Sequence, residues 1–300
     1  MSIIERVDNT THTPSDRLAP NPPFPKSVKI EITSRCNLSC SYCARASSRR
    51  PSGDMPIETF KSILIDLVAL GVEEVGLFYL GEPFVLQNVH KYIRECKKAG
   101  INYVFITTNG TMCTPDRLRL CVDAGLDSMK FSINSYDRTS YEEYHGVDMF
   151  DAIIENVKWL HMYKNSNRID IDTCVSSICF PGKERELSKF RDMIENYTDE
   201  FYLLPLYNQG GNVRGEVPGN PGRLANRVPP IPCWALFNSA RITWEGKLTA
   251  CCFDHFGKFE MGDITKIPIM EAWNSENFIK LRNSHLSLSI SGTLCEACLV

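Results

Sequence analysis

Several hallmarks of other protein classes are missing from this chain of 300 residues. Its first ten residues contain no basic stretch followed by an apolar run, so they do not read as a signal peptide. No apolar stretch reaches the length needed to cross a bilayer. The sequence therefore predicts a cytoplasmic protein that does not act at a membrane.

Strong charge and metal-binding histidines are missing as well. The formal net charge of −3 gives no overall attraction to nucleic acid or to anionic membranes. His145, His255 and His285 are isolated, and none has the spacing of a metal ligand. We therefore expect no nucleic-acid partner and no histidine-based metal site.

Cysteine, in contrast, is abundant, with thirteen residues. In a reducing compartment, clusters of cysteines more often bind metal than form disulfides. A hydrophobic content of 43% over this length is enough for one large core and a small appended domain.

Short β-rich segments alternate with amphipathic segments between residues 28 and 206. This alternation predicts an α/β fold with a parallel sheet and right-handed crossovers, and six repeats favour an open partial barrel over a closed eight-fold one. The predicted helices lie at about 57–69, 87–98, 115–123, 150–164 and 184–197. The predicted strands are Val28–Thr33, Glu74–Leu80, Tyr103–Thr107, Ser128–Ile133, Ile169–Val175 and Glu200–Leu206.

The segments on either side of this unit have different compositions. Residues 1–27 end in a proline-rich run and are predicted to be an extended lead-in. Glycine and proline clusters predict a linker over 207–232. The remaining residues, 233–300, are predicted to form a small domain. It contains a hairpin of Ala240–Trp244 and Lys247–Phe253 around Glu245-Gly246, and helices near 269–274 and 276–283.

Three cysteines follow the first predicted strand. Cys36, Cys40 and Cys43 have the spacing C-x3-C-x2-C, which allows them to converge on one cluster. A [4Fe–4S] cluster normally takes four cysteines, and the next one along the chain is Cys96. One iron would therefore be left to bind an outside ligand. A zinc site is the alternative, although zinc sites favour ligands supplied in pairs such as C-x2-C and H-x3-H.

This segment, with the aromatic Tyr42 before the last cysteine, resembles the signature of the radical S-adenosylmethionine (SAM) superfamily. The resemblance implies a (β/α)6 partial barrel and a cluster whose open iron chelates the amino and carboxylate groups of SAM. Reduction of the cluster then cleaves SAM to methionine and a 5′-deoxyadenosyl radical, which takes a hydrogen atom from the substrate. An external electron donor, such as flavodoxin or ferredoxin, is implied as a partner.

The same resemblance implies further contacts to SAM. Gly81-Glu82-Pro83 ends the second strand, where relatives carry a segment that meets the cofactor amino group, and a carboxylate suits an ammonium there. Asn109, Ser132 and Asn134, at the ends of the third and fourth strands, are the expected ribose and methionine contacts.

Two residues of this sequence are candidates for the cation that contacts the cofactor carboxylate. Many relatives carry an Arg-Gly pair shortly after the fourth strand, where this chain has His145-Gly146. Arg138 is the second candidate for this contact.

The second cysteine set lies near the end of the chain and comprises Cys233, Cys251, Cys252, Cys295 and Cys298. Together with Trp244–Cys252, Gly262-Asp263-Ile264 and Glu271-Ala-Trp-Asn274, it resembles the shortened SPASM, or twitch, domain. That resemblance implies an auxiliary [4Fe–4S] cluster, to which we assign Cys233, Cys251, Cys295 and Cys298. A zinc ion that only stabilises a small domain is the alternative.

Cys252 is then left over. Alternate side chains of a strand face opposite ways, so neighbouring Cys251 and Cys252 should not both bind one iron. We predict that Cys252 lies beside the cluster and hands a hydrogen atom to a substrate radical. The alternative is that it is a small buried hydrophobe, as we expect for Cys96, Cys113, Cys121, Cys174 and Cys179.

The substrate is expected to be a small molecule, because the 27-residue lead-in is too short for the separate peptide-recognition domain of many peptide-modifying relatives. Chains of this size resemble enzymes that tailor aminocyclitols and aminoglycosides, such as neomycin C epimerase and 2-deoxy-scyllo-inosamine dehydrogenase. Asp170 and Asp172, predicted to share one face of the fifth strand, would suit a cationic sugar.

Two reactions at a carbinol carbon compete. Epimerisation would use Cys252 as the hydrogen donor, whereas dehydrogenation would pass an electron to the auxiliary cluster and leave a ketone. Two further alternatives are a peptide-modifying enzyme and a non-enzymatic binding protein stabilised by metal. In a purely structural metal site, however, we would expect four cysteine ligands, and the first set provides only three.

Overall fold

The structure, a computed structural model, describes residues 1–210, 212–213 and 232–298. Most of the predicted linker, including Pro218–Gly222 and Pro229–Ile231, lies outside the described residues. Within the described residues, no helix combines the length and apolar character that crossing a membrane requires.

Six parallel strands form the wall of a partial barrel. Their spatial order is β6-β5-β4-β3-β2-β1, with every neighbouring pair parallel, as repeated β/α units require. The predicted partial barrel is therefore confirmed. The strands are β1 (Ser27–Ile30), β2 (Glu74–Gly76), β3 (Tyr103–Thr108), β4 (Ser128–Ser132), β5 (Asp172–Cys179) and β6 (Glu200–Pro205).

Helices precede this wall and connect its strands. In α2, for example, Phe60, Ile63, Leu64 and Leu67 recur on one face and are buried against the outside of the sheet. Gly100 and Gly125, at φ +90° and +95°, follow α3 and α4 as the sequence indicates. The helices are α1 (Ile3–Thr11), α2 (Ile57–Ala69), α3 (Val89–Lys98), α4 (Pro115–Asp123), α5 (Arg138–His145), α6 (Phe150–Asn167) and α7 (Glu184–Ile194).

Helix α1 corrects the prediction that residues 1–27 are an extended lead-in. Ser2 caps the helix, since its hydroxyl accepts the Glu5 N–H while the Glu5 carboxylate accepts the Ser2 N–H. The prolines all lie at residues 14–25, so they do not oppose a helix before them. Arg6 of α1 pairs with Glu74 and lies 3.6 Å from the centre of the Tyr103 ring. The helix therefore closes the amino end of the barrel.

The predicted fifth strand also begins later than expected. Arg168 adopts φ +54° at the end of α6, and Ile169 bonds back to the Lys164 carbonyl, so residues 169–171 are used in leaving the helix. As a result Asp170 precedes β5 and is exposed, whereas Asp172 is its first residue. The prediction that the two carboxylates share one strand face is therefore wrong.

The C-terminal part extends the same sheet. Strand β7 (Ala240–Ile242) pairs with β1 in parallel, and β8 (Lys247–Thr249) and β9 (Glu260–Asp263) follow in antiparallel order. The predicted hairpin turn is present, with Gly246 at φ +80°. Helices α8 (Ile269–Trp273) and α9 (Glu276–Leu286) complete this part. The predicted fold of a partial barrel followed by a small hairpin-and-helix domain is confirmed.

Candidate active site

The loop after β1 carries Cys36, Cys40 and Cys43 at the carboxyl end of the barrel. Arg35 anchors it, because its guanidinium donates to both oxygens of Asp54 at 2.8 and 2.6 Å. The Arg35 carbonyl accepts the Glu82 N–H at 2.8 Å, and the Cys40 carbonyl accepts the Cys43 N–H at 3.1 Å. The three cysteines are thus held in a compact turn that is tied to the loop after β2.

These thiols are close enough to affect one another. Burial, together with the neighbouring charges of Cys43 and Cys36, raises the pKa of Cys40 to about 12. Burial likewise raises the pKa of Cys36 and Cys43. Three adjacent thiolates therefore need a strongly positive group among them, and an iron–sulfur cluster is such a group.

Tyr42 stands at the centre of a buried hydrogen-bond network. His145 Nδ1 lies 2.9 Å from the Tyr141 carbonyl, which makes Nδ1 the donor and leaves Nε2 to accept the Tyr42 hydroxyl at 2.8 Å. Asn134 donates its Nδ2 to the same hydroxyl at 2.9 Å, and its Oδ1 accepts the Ile178 N–H at 3.1 Å. Both polar ends of the Asn134 side chain are therefore bonded within the protein.

The two cations predicted for the cofactor carboxylate have different surroundings in this structure. His145 is buried, and burial lowers its pKa to about 4, so it is neutral at pH 7. Arg138 is 60% exposed and pairs with Asp148 and Asp151 on the outer surface. The sequence analysis did not single out Arg45, whose Nε donates to the Ser34 carbonyl at 3.2 Å. Its charge partly offsets the effect of burial on the pKa of Cys36, which places this cation near the cluster loop.

The His145 network predicts a pH dependence of stability. The folded-state pKa of about 4 lies below the usual 6.5, so the contribution is complete above pH 6.5 and is lost as the pH falls towards 4. We expect His145 to account for a loss of about 2 kcal/mol in the free energy of unfolding between pH 7.5 and pH 5. Urea titrations at both pH values, compared with His145→Gln, measure this difference; an equal loss in the variant would contradict it.

The segment Gly81-Glu82-Pro83 packs tightly against the cluster loop. A Cβ at Gly81 would lie 2.1 Å from the Thr33 carbonyl oxygen, so this position requires glycine. Pro83 begins a short 3₁₀ turn. The Glu82 carboxylate, only 4% exposed, accepts the Phe84 N–H at 2.9 Å, the Thr108 hydroxyl at 2.7 Å and the Asn109 N–H at 2.6 Å. Glu82 therefore joins the loops after β2 and β3, a role that the sequence did not indicate.

Two further predicted residues end neighbouring strands. Asn109 donates to Asn37 Oδ1 at 3.0 Å, and its Nδ2 lies 4.0 Å from Cys36 Sγ. Ser132 is half-buried at the end of β4, with its hydroxyl 3.4 Å from that of Ser176. The predicted residues that gather around the cluster loop are Tyr42, Gly81, Glu82, Pro83, Asn109 and Asn134, with Ser132 at the same end of the barrel.

The cysteines of the second set surround one cavity. Phe253 donates its N–H to Cys251 Sγ at 3.3 Å, and a hydrogen bond to Cys252 is the main cause that raises the pKa of Cys251. Burial raises the pKa of Cys295, and the charges of Cys233, Cys298 and Cys252 add to this effect. One cavity of about 40 Å³ is lined by all five cysteines, Cys233, Cys251, Cys252, Cys295 and Cys298.

Cys251 and Cys252 do not lie on a strand, because β8 ends at Thr249. The argument that their side chains must face opposite ways is therefore wrong, and both line the same cavity. Of the other cysteines, Cys96, Cys113, Cys121 and Cys174 are buried as expected, and Cys179 is half-buried.

Two residues that sequence reasoning missed connect the cysteine sets. The Tyr79 hydroxyl donates to the Cys251 carbonyl at 2.6 Å and accepts the Asp254 N–H at 3.2 Å. Gln209 donates to the Tyr42 carbonyl at 3.0 Å, while its Oε1 accepts from the Ala44 N–H at 3.1 Å and from His255 Nε2 at 3.0 Å. The loops of the two sites are therefore joined directly.

Comparison with known families agrees with this geometry. The radical SAM superfamily profile matches residues 30–194, which run from the last residue of β1 to the end of α7 and include the first cysteine set. The chain belongs to the radical SAM superfamily. The profile of the SPASM iron–sulfur cluster-binding domain matches residues 233–299. This radical SAM enzyme therefore uses SAM and a [4Fe–4S] cluster in its barrel and carries additional iron–sulfur in its SPASM domain.

Curated relatives match part of their length. An uncharacterised protein of Methanocaldococcus jannaschii is 30% identical over 208 residues, which is 69% of this chain and 61% of the relative. A probable GTP 3′,8-cyclase of Sulfurisphaera tokodaii is 29% identical over 62% of this chain and 57% of its own length. This radical SAM enzyme thus spans less than two thirds of both relatives.

Solved structures share its fold. BtrN in complex with AdoMet and 2-DOIA superposes with a TM-score of 0.62 at 19% identity, over 92% of both chains. Streptococcus suis SuiB bound to the precursor peptide SuiA superposes with a TM-score of 0.70 at 15% identity, over 92% of this chain and 69% of SuiB.

Proposed function

We propose that this radical SAM enzyme inverts a carbinol carbon of a small carbohydrate-type molecule, with Cys252 as the hydrogen donor. The observation that carries the proposal is the set of five thiols around one cavity. A four-iron cluster takes four cysteines, so one thiol remains beside it. On the resemblance to the twitch domain, we assign the ligands as Cys233, Cys251, Cys295 and Cys298.

A substrate site of suitable size supports a small-molecule reaction. The barrel interior holds a cavity of about 370 Å³, within the range of small-ligand pockets. Aromatic side chains that suit the apolar faces of a sugar ring make up much of its wall. They are Phe78, Tyr103, Phe105, Tyr202, Tyr207 and Trp234.

The loop that carries Cys252 is bonded to a residue next to the wall of this cavity. Phe78 lines the cavity, and the next residue, Tyr79, donates its hydroxyl to the Cys251 carbonyl at 2.6 Å. The loop that carries Cys252 is therefore attached to the barrel wall where the substrate cavity begins.

The proposed inversion removes one hydrogen atom from the carbinol carbon and returns another to its opposite face. SAM and the barrel cluster, when bound, supply the radical that removes a hydrogen atom from the carbinol carbon. The Cys252 S–H bond then breaks homolytically, and its hydrogen atom forms the new C–H bond on the opposite face. The remaining thiyl radical takes one electron, supplied by an external donor such as flavodoxin or ferredoxin, and one proton from solvent to restore the thiol. An auxiliary cluster held by Cys233, Cys251, Cys295 and Cys298 would provide a path for that electron. The substrate as a whole is neither oxidised nor reduced.

Turnover in deuterated water tests the proposal, because a thiol exchanges its proton with solvent. We expect the product to contain one deuterium, at the inverted carbon, and the unlabelled product to have the mass of the substrate. Mass spectrometry and NMR measure both. A product lighter by two hydrogen atoms would overturn inversion and establish dehydrogenation, the reaction that leaves a ketone.

Matched alanine variants identify the donor. Cys252→Ala is expected to retain the auxiliary iron and to form 5′-deoxyadenosine without inverted product, whereas Cys251→Ala is expected to lose the auxiliary iron. Iron assays and chromatography of 5′-deoxyadenosine distinguish the two. The reverse pattern would make Cys251 the donor, and normal inversion in both variants would exclude a cysteine donor.

A further inference from the structure

The cavity of about 370 Å³ occupies the interior of the barrel, between the cofactor loops and α1. Thr107, near the end of β3, and Phe78, in the loop after β2, lie at its upper end. Ile3, Arg6 and Val7 of α1 form its floor. Whatever fills this cavity therefore lies between the site of radical formation and the closed end of the barrel.

Among the described residues, the side chains on the cavity wall carry an excess of positive charge. The charged side chains that line it are Arg6, Lys29, Lys130 and Glu74. Glu74, the one acid among them, is already paired with Arg6. Of two nearby acids, Glu200 accepts the Ile4 N–H at 2.7 Å, and Asp172 begins β5 at the amino end.

Lys130, a residue of β4, is one of the two lysines that line this cavity. Within the described residues it forms no ion pair at 4.0 Å or less, and its ammonium lies 5.9 Å from the centre of the Tyr202 ring. Burial lowers its pKa, which is the expected effect when a cation leaves water without an anion beside it.

A further buried cation lies on the neighbouring strand. Arg241 of β7 is paired in register with Lys29 of β1, so both side chains project from the same face of the sheet. It is 1% exposed, and its guanidinium lies 5.0 Å from the centre of the Trp234 ring, which lines the cavity. Both Nη atoms of Arg241 lack a hydrogen-bond acceptor among the described residues.

We propose that the substrate carries an anionic group, a carboxylate or a phosphate, which binds in this cavity between Lys130 and Lys29. A buried anion would supply the counter-charge that Lys130 lacks and accept charge-assisted hydrogen bonds from both ammonium groups. The substrate is then an acidic or phosphorylated carbohydrate, rather than the cationic sugar that Asp170 and Asp172 suggested. This inference rests on the proposed function in taking the cavity as the substrate site.

Isothermal titration of the holoenzyme with four hexose probes tests this inference. The probes are glucose, glucosamine, glucuronate and glucose 6-phosphate, which differ mainly in charge. We expect at least one acidic probe to bind and the neutral and amino sugars to bind at least tenfold more weakly. Binding of glucuronate alone identifies a carboxylate, and binding of glucose 6-phosphate alone a phosphate. Failure of both acidic probes, or preference for glucosamine, would overturn the inference.

Charge-removing variants locate the site. Lys130→Met is expected to weaken binding of the acidic probe about 10- to 100-fold, the loss of one charge-assisted bond. Lys98→Met, which removes an exposed lysine paired with Glu95, is the matched control and should bind as the wild type does. Unchanged binding in Lys130→Met would contradict the assignment. Because no turnover is required, failure of inversion leaves this result intact, and failure of binding leaves the deuterium result intact.

Discussion

Changing Cys36, Cys40 and Cys43 together to alanine is expected to halve the iron content, from about eight to about four atoms per chain, and to abolish cleavage of SAM. These cysteines lie in one turn after β1, whereas the other set lines a separate cavity, so the auxiliary iron should remain. Iron and sulfide assays after anaerobic reconstitution measure the first effect. Chromatography of 5′-deoxyadenosine measures the second, which should fall to the background rate.

Cys179→Ala is a suitable control, because Cys179 is half-buried and belongs to neither set. It should keep all the iron and the full rate of SAM cleavage. Anaerobically purified protein that holds zinc and no iron would contradict the cluster assignment altogether.

Glu82→Gln is expected to lower SAM affinity at least tenfold and to destabilise the fold by about 1–3 kcal/mol. The carboxylate accepts two backbone N–H groups, from Phe84 and Asn109, and the Thr108 hydroxyl. An amide in its place must turn an NH₂ group towards one of these donors, which leaves buried donors unpaired. Equilibrium binding of SAM to the reconstituted enzyme and urea unfolding measure the two effects.

Iron content should change little in this variant, since no cysteine is altered. Glu58→Gln is the matched control, because Glu58 is exposed and bonds only to Lys61 among the described residues. If Glu82→Gln kept both wild-type SAM affinity and wild-type stability, the carboxylate would have no part in ordering these loops.

The barrel was predictable because its signals are local and periodic. Apolar residues at helical spacing gave α2 at its observed limits, and glycines marked the ends of α3 and α4. The first cysteine set was predictable for the same reason, since three ligands within eight residues need no knowledge of distant contacts. The resemblance to the superfamily rests on this spacing together with Tyr42 and the position after the first strand.

The structural features that the sequence did not predict depend either on one helix-capping residue or on contacts between distant parts of the chain. Helix α1 follows a capping box, but the prolines after it led to the prediction of an extended segment. Helix α5 is capped by Asp137, which forms a similar box with Ser140. Tyr79 and Gln209 act across 172 and 167 residues of sequence, to Cys251 and Tyr42. No spacing rule connects such positions, because the tertiary fold alone brings them together.

Helix α1 has a consequence for the shape of substrates. A barrel that is closed at its amino end can be entered only from its carboxyl end. A long polymeric substrate therefore cannot pass through it and must insert a terminus or a side group. Ile3 and Val7 also limit how far a substrate can enter the cavity. For a substrate whose far end contacts these residues to react, its reactive carbon must lie next to the cofactor. We therefore expect helix α1 to limit the length of the substrate along the barrel axis.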